Sequence, residues 1–131
     1  MSGKASQAKG KRGEIELVEI LQRAGHPVVW GGSQTYGTTP DISGLEGIHV
    51  ECKRVERLNL GKAMDQAERD AAFFHDGAPA VFHRQNRRPW LVTMRLEDWL
   101  ELYRAEREKK GPAKGGGIGE RCSDPRFSRS Q

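Results

Sequence analysis

The chain predicts an α/β domain with a central mixed sheet flanked by helices, and three observations carry that prediction. Apolar residues recur at helical spacing in three separate stretches, alternating or β-branched stretches lie between them, and glycine and proline mark the boundaries. The order is helix, three strands, helix, two strands, helix, so the expected central sheet is five-stranded.

The first helix is expected over about Lys11 to Ala24, where Leu17, Ile20, Leu21 and Ala24 form an apolar stripe that Gly25 stops. Pro27 to Trp30 reads as a short strand, and residues 31–39, rich in glycine, serine and threonine, as a flexible loop. Asp41 to Ser43 reads as a second strand, turning through Leu45, Glu46 and Gly47 to lie antiparallel beside a third. That third strand, Gly47 to Arg54, alternates strictly: Ile48, Val50 and Cys52 fall on a buried face, with His49, Glu51 and Lys53 on the other. Met64, Ala67, Ala71 and Phe74 define a second helix that also carries Gln66. Ala78 to Phe82 and Trp90 to Met94 read as two further strands joined by a turn over Gln85 to Arg88. Leu96, Trp99, Leu100 and Tyr103 give the stripe of a third helix, and Glu97 and Asp98 suit its positive N-terminal end. From Gly111 onward glycine, proline, serine and charge predominate without periodicity. The expected layout is therefore a basic flexible segment over 1–9, a folded domain over 10–108 and a basic disordered tail over 109–131.

At 131 residues, 35% of them hydrophobic and 31% charged, the chain has room for one modest core. No apolar run approaches the roughly 18 residues that cross a bilayer, and the polar start lacks the core of a secretory signal. A cytoplasmic protein without a membrane partner is expected. Cys52 falls on the buried strand face and Cys122 in the tail, a pairing suited neither to a disulfide nor to a zinc site, so Cys52 reads as a small core residue. The net charge of +4 is unevenly spread: residues 1–13 hold four basic side chains and no acid, and residues 109–131 hold six basic against two acidic. The middle of the chain is consequently net negative, and the basic ends are suited to a phosphate backbone.

Asp41 and the Glu51-Cys52-Lys53 triplet carry the chemistry. The expected strand pair sets two carboxylates and one ammonium on a common face. Magnesium is a hard cation, often held by one or two carboxylates while keeping several waters. Asp41, Glu51 and the backbone carbonyl of Cys52 supply such a partial shell for Mg2+, or for Mn2+, and Lys53 is placed to position a water and stabilise developing negative charge. Metal-assisted phosphodiester hydrolysis is the reaction that uses all of these. No nucleophile triad, phosphate-binding loop or dinucleotide fingerprint is present.

Pro40-Asp41, the Glu51-Cys52-Lys53 triplet and an upstream Glu14, in a helix opening with Lys9, Gly10, Lys11, Arg12 and Gly13, resemble the signature of the PD-(D/E)xK nuclease superfamily. The likeness is to its Holliday junction resolvase-like branch, spans roughly Gly10 to Tyr103, and extends over Val81 to Met94 to phage-encoded relatives. It implies a restriction-endonuclease-like core and a bacterial or phage-encoded enzyme. It further implies that Glu14 joins Asp41 and Glu51 at the metal, and that Gln66 supports the catalytic set of Asp41, Glu51 and Lys53. Ser33, in a loop that also holds Tyr36, matches the mobile loop that contributes a serine in some resolvases. Lys9, Lys11 and Arg12, with Arg84, Arg87 and Arg88 of the expected hairpin turn, are the DNA-binding candidates. Glu16 and Glu19 lie on the same helix as Glu14 and stand outside the motif. Two symmetric nicks at a four-way junction need two sites, which a homodimer supplies, and Trp30, Trp90, Trp99, Phe73 and Phe74 are more large aromatics than the core is expected to cover. The expected function is a metal-dependent endonuclease on branched DNA. A restriction-like or repair endonuclease acting on duplex or flapped DNA, and a non-catalytic DNA-binding module of the same fold, are the alternatives.

Overall fold

The computed structural model describes residues 2–31 and 39–110. Among them run α1 (Ser2–Arg23), β1 (Val29–Trp30), β2 (Ile42–Ser43), β3 (Ile48–Arg54), α2 (Leu60–Phe74), β4 (Ala78–Arg84), β5 (Leu91–Met94) and α3 (Leu96–Lys110). The α/β class and the order of elements match the pattern in the sequence. The chain divides into two units, one through Arg95 and one from Leu96, so α3 stands in a unit of its own. Within α3, Trp99 and Tyr103 lie one turn apart and their rings stack at 5.2 Å.

Among the described residues the expected central five-stranded sheet is not formed. The described strands make a two-stranded antiparallel sheet, β1-β2, and a separate three-stranded mixed sheet in the order β3-β4-β5. β3 and β4 are parallel, placing Glu51 opposite Val81, whereas β4 and β5 are antiparallel. β2 pairs with β1, setting Trp30 against Ile42, and does not pair with β3 as the Asp41–Ser43 reading expected. The physical reason lies in Gly44. Its positive φ of 102° turns the chain, and a Cβ there would stand 2.4 Å from the carbonyl oxygen of Pro27, so only glycine lets this backbone rest against the start of β1. The amide of Gly31 then donates to the Asp41 carbonyl at 2.7 Å, which extends the short ladder and fixes the backbone of Asp41.

α1 begins at Ser2, well before the Lys11 start expected, because Ala5, Gln7, Ala8 and Lys9 are good helix formers and Gly10 interrupts without breaking. The helix packs on β3. Leu17 and Val18 meet Val28, Ile42, Val50, Ala80 and Phe82 in the larger core, with Cys52 packed against it. α2 covers the opposite face of β3 and β4, where Ala63 and Ala67 pack on Val81. Small side chains at this i, i+4 spacing bring the helix close to the sheet. Asn59 caps its start by accepting from the Lys62 amide at 3.0 Å, and His75, with a left-handed φ of 54°, ends it. Both faces of β3 are thus covered, and His49, on its polar face, is only 2% exposed.

Candidate functional site

Glu14 reaches the sheet because Gly13 precedes it. A Cβ on Gly13 would lie 2.5 Å from the Cβ of Arg54, so α1 touches the end of β3 at the one residue that has no side chain to obstruct it. The Glu14 carboxylate accepts from the indole N–H of Trp30 at 2.8 Å. Burial pushes its pKa up to about 7; the tryptophan bond opposes that rise, and the neighbouring carboxylates of Asp41 and Glu51 add to it. Three acids, from α1, from the residue just before β2 and from β3, therefore gather at one place.

Lys53 and Gln66 complete the group. Lys53 Nζ donates to Gln66 Oε1 at 3.1 Å and stands 3.5 Å from Glu51 Oε2. Alternation puts Glu51 and Lys53 on the same side of β3, and the close seat of α2 puts Gln66 over them. Burial also pushes the Cys52 thiol up to about 12, with Glu14 and Glu51 adding to the shift, so this residue stays a neutral part of the core wall. The sequence-predicted set of Glu14, Asp41, Glu51, Lys53 and Gln66 is brought together, although the strand pairing expected to unite Asp41 with Glu51 is not the means.

The basic candidates divide. Arg84 is half-buried and paired with Glu16, which also takes the Nε of Arg54 at 3.5 Å and the indole N–H of Trp90 at 3.2 Å. Arg84 is thereby engaged inside the fold. Arg87 and Arg88 are exposed on the β4-β5 turn, where Arg87 takes a left-handed φ of 63°. Lys11 Nζ lies 5.8 Å from the Trp30 ring centroid, a cation–π contact, and Arg12 is exposed. Lys9 is in α1, with its side chain outside the described part. Ser33, Tyr36 and the tail from Gly111 also lie outside the described residues. Of the aromatics expected to be in excess, Trp30 and Trp90 hold Glu14 and Glu16, and Phe74 stacks on His49 with centroids 6.3 Å apart. Phe73 and Trp99 are exposed.

A second polar group, on the α2 side of β3, was not singled out by sequence reasoning. His49 Nδ1 lies 2.9 Å from both carboxylate oxygens of Asp76, and its Nε2 stands 3.9 Å from Glu51 Oε1, within ion-pair range and beyond hydrogen-bond reach. Burial alone would lower the His49 pKa, but Glu51 and Asp76 outweigh it and the net shift is upward. Asp70, on α2, faces the same group. The available signal was spacing: Asp70 follows Gln66 by four residues, which places both on one side of a helix. No helix among the described residues is long and apolar enough to cross a membrane. Comparisons with protein-family models, with curated proteins and with solved structures found no match.

Proposed function

We propose that this protein is a metal-dependent endodeoxyribonuclease that hydrolyses phosphodiester bonds, selective for branched DNA in the manner of Holliday junction resolvases and working as a homodimer. One observation carries the reading: Glu14 gathers with Asp41 and Glu51, and Lys53, held by Gln66, pairs with Glu51 at 3.5 Å. That donor set fits a hard dication. The all-oxygen ligands suit Mg2+ or Mn2+, and the Glu14 pKa, raised first by burial and then by the Asp41 and Glu51 carboxylates, is one that a bound ion would lower. Asp41, Glu51, Glu14 and the Cys52 carbonyl are the residues that would hold it. When bound, such an ion lowers the pKa of a coordinated water and neutralises phosphate charge.

The chain's own groups do the rest. Gln66 holds the Lys53 ammonium by a hydrogen bond, leaving its remaining protons to orient the attacking water and to meet the charge that grows on phosphorus oxygens. Glu14, with its pKa raised to about 7, would have to release its proton to hold an ion, so metal affinity would rise as pH passes through that value. The basic side chains of α1, with exposed Arg87 and Arg88, supply the phosphate contacts. Exposed Phe73, and Leu91 and Val92 on the edge strand β5, offer apolar surface for a second copy to cover.

The test is cleavage of labelled four-way, flapped, single-stranded and linear DNA with Mg2+ or Mn2+. The reading expects symmetric nicks in the four-way junction, none in excess chelator and none with Asp41→Asn. Equal cutting of linear duplex by a monomer would favour the restriction-like or repair alternative, whereas DNA binding without cleavage under either metal would leave a DNA-binding module.

A further inference from the structure

His49 is the most deeply buried polar side chain described, at 2% exposure, and two neighbours hold it. Asp76 brackets Nδ1 with both oxygens at 2.9 Å, and Phe74 stacks on the ring at an interplanar angle of 13°. A carboxylate at Nδ1 favours the tautomer with its proton there, which leaves Nε2 with a lone pair. That Nε2 is buried and has no hydrogen-bond partner among the described residues. It stands 3.9 Å from Glu51 Oε1, and one ligand atom each from His49, Glu51 and Asp70 lie within 4.8 Å of one another. Such a buried, unpartnered acceptor is uncommon, because leaving one unmade costs roughly 1–3 kcal/mol.

We propose that His49, Glu51 and Asp70 form a site for a first-row transition dication of the manganese-to-zinc series, distinct from the magnesium-type group at Glu14 and Asp41. The chemistry selects that class. Imidazole nitrogen suits zinc, iron, nickel and copper, and carboxylates suit manganese, whereas magnesium prefers all-oxygen shells. Metal–nitrogen and metal–oxygen bonds of about 2.0–2.2 Å put ligand atoms roughly 3–4 Å apart, so the group closes on an ion with small side-chain movement. One imidazole and two carboxylates neutralise the ion's charge. Asp76 supplies the outer carboxylate that orients a metal-binding histidine, an arrangement that recurs at such sites. Glu51 can serve both groups, since its Oε1 faces His49 and its Oε2 faces Lys53.

Cobalt(II) is the probe, because its visible d–d absorption reports a protein-held ion and does not depend on DNA cleavage. The full chain, stripped with chelator, should develop saturable bands at one equivalent. Asp70→Ala, a change on a half-exposed helix position, should weaken cobalt binding at least tenfold with the circular dichroism spectrum unchanged, and His49→Gln should abolish the bands. Asp76→Asn should weaken binding by roughly 10–100-fold through the outer carboxylate. Asp41→Asn, which disables the proposed nuclease group, should leave the bands in place, so the two assignments stand or fall separately. Absence of bands in the wild type, bands of undiminished affinity in folded Asp70→Ala, or bands lost only in Asp41→Asn would overturn the site.

Discussion

Glu14 and Glu16 are two residues apart on α1, and each accepts a hydrogen bond from a tryptophan indole, Trp30 for the first and Trp90 for the second. Their surroundings are otherwise opposite. Glu16 lies between the guanidinium groups of Arg54 and Arg84, and no cation is missing from its environment. Glu14 faces Asp41 and Glu51, and its pKa climbs to about 7 as burial and like charge disfavour its ionised form. One carboxylate is satisfied by the fold and stitches α1 to β3 and β4. The other is buried among like charges with a raised pKa, which is the character expected of the functional acid proposed above.

The sharpest way to break this comparison is to neutralise each region and measure two properties. Asp41→Asn, Glu51→Gln and Lys53→Ala should each lower nicking by a factor on the order of 10³, and the first two, which are nearly isosteric, should leave the packing of the fold unchanged. Glu16→Gln should do the reverse, keeping the chemistry of any folded protein and lowering its melting temperature. Wild-type nicking by any of the first three would remove the assignment.

A smaller effect concerns how α1 is allowed to approach. Gly10→Ala meets nothing within 4 Å and should stabilise the helix by up to about 1 kcal/mol. Gly13→Ala sets a methyl 2.5 Å from the Cβ of Arg54, an atom that cannot swing away, and should destabilise by about 1–3 kcal/mol despite the better helix propensity. It should also reduce nicking, since Glu14 moves with the helix. Equal midpoints for the two variants in chemical denaturation would show that the contact does not position α1.

Next in size is Glu16→Gln itself. Its ion pairs are partly exposed, so the loss should be roughly 1–2 kcal/mol, well short of that for a fully buried pair. A guanidinium titration that shows no change in midpoint would mean that Arg54 and Arg84 find other partners.

These residues also show what the chain disclosed before its fold was known. Local periodicity was enough for the order of the elements and the faces of β3, because alternation and helical stripes depend on neighbours in sequence. Asp41, Glu51 and Lys53 were legible as a group because only two neighbouring segments, the entry to β2 and the strand β3, had to converge. The sheet division was not legible, since it depends on a single close approach, Gly44 against Pro27, between backbone atoms sixteen or more residues apart in chain position. The same limit hid His49. Its partners Asp76 and Asp70 belong to α2 and the turn after it, and nothing in a lone histidine on a strand announces that a helix will cover it. Glu14 and Glu16 were distinguishable by motif alone, while the reason, arginines around one and carboxylates around the other, is wholly tertiary.

An effect of similar size is the most diagnostic of the pair. Glu14 has a folded-state pKa near 7 against an ordinary 4.5, so between those values the native state holds a proton that the unfolded chain has released. Stability therefore falls as pH rises from about 4.5 to 7, and above 7 the full penalty of an ionised Glu14 remains. Because the site is partly open to solvent, that penalty at pH 8 should be discounted to roughly 1–2 kcal/mol. Glu14→Gln removes it: the variant should be more stable than wild type at pH 8, equal to it below pH 4.5, and impaired in nicking. Magnesium should raise the wild-type melting temperature at pH 8 by supplying the missing charge, and should do less for the variant, which lacks one ligand. Parallel stability–pH curves for wild type and Glu14→Gln would mean that Glu14 is as well compensated as Glu16, and the contrast between the two glutamates would disappear.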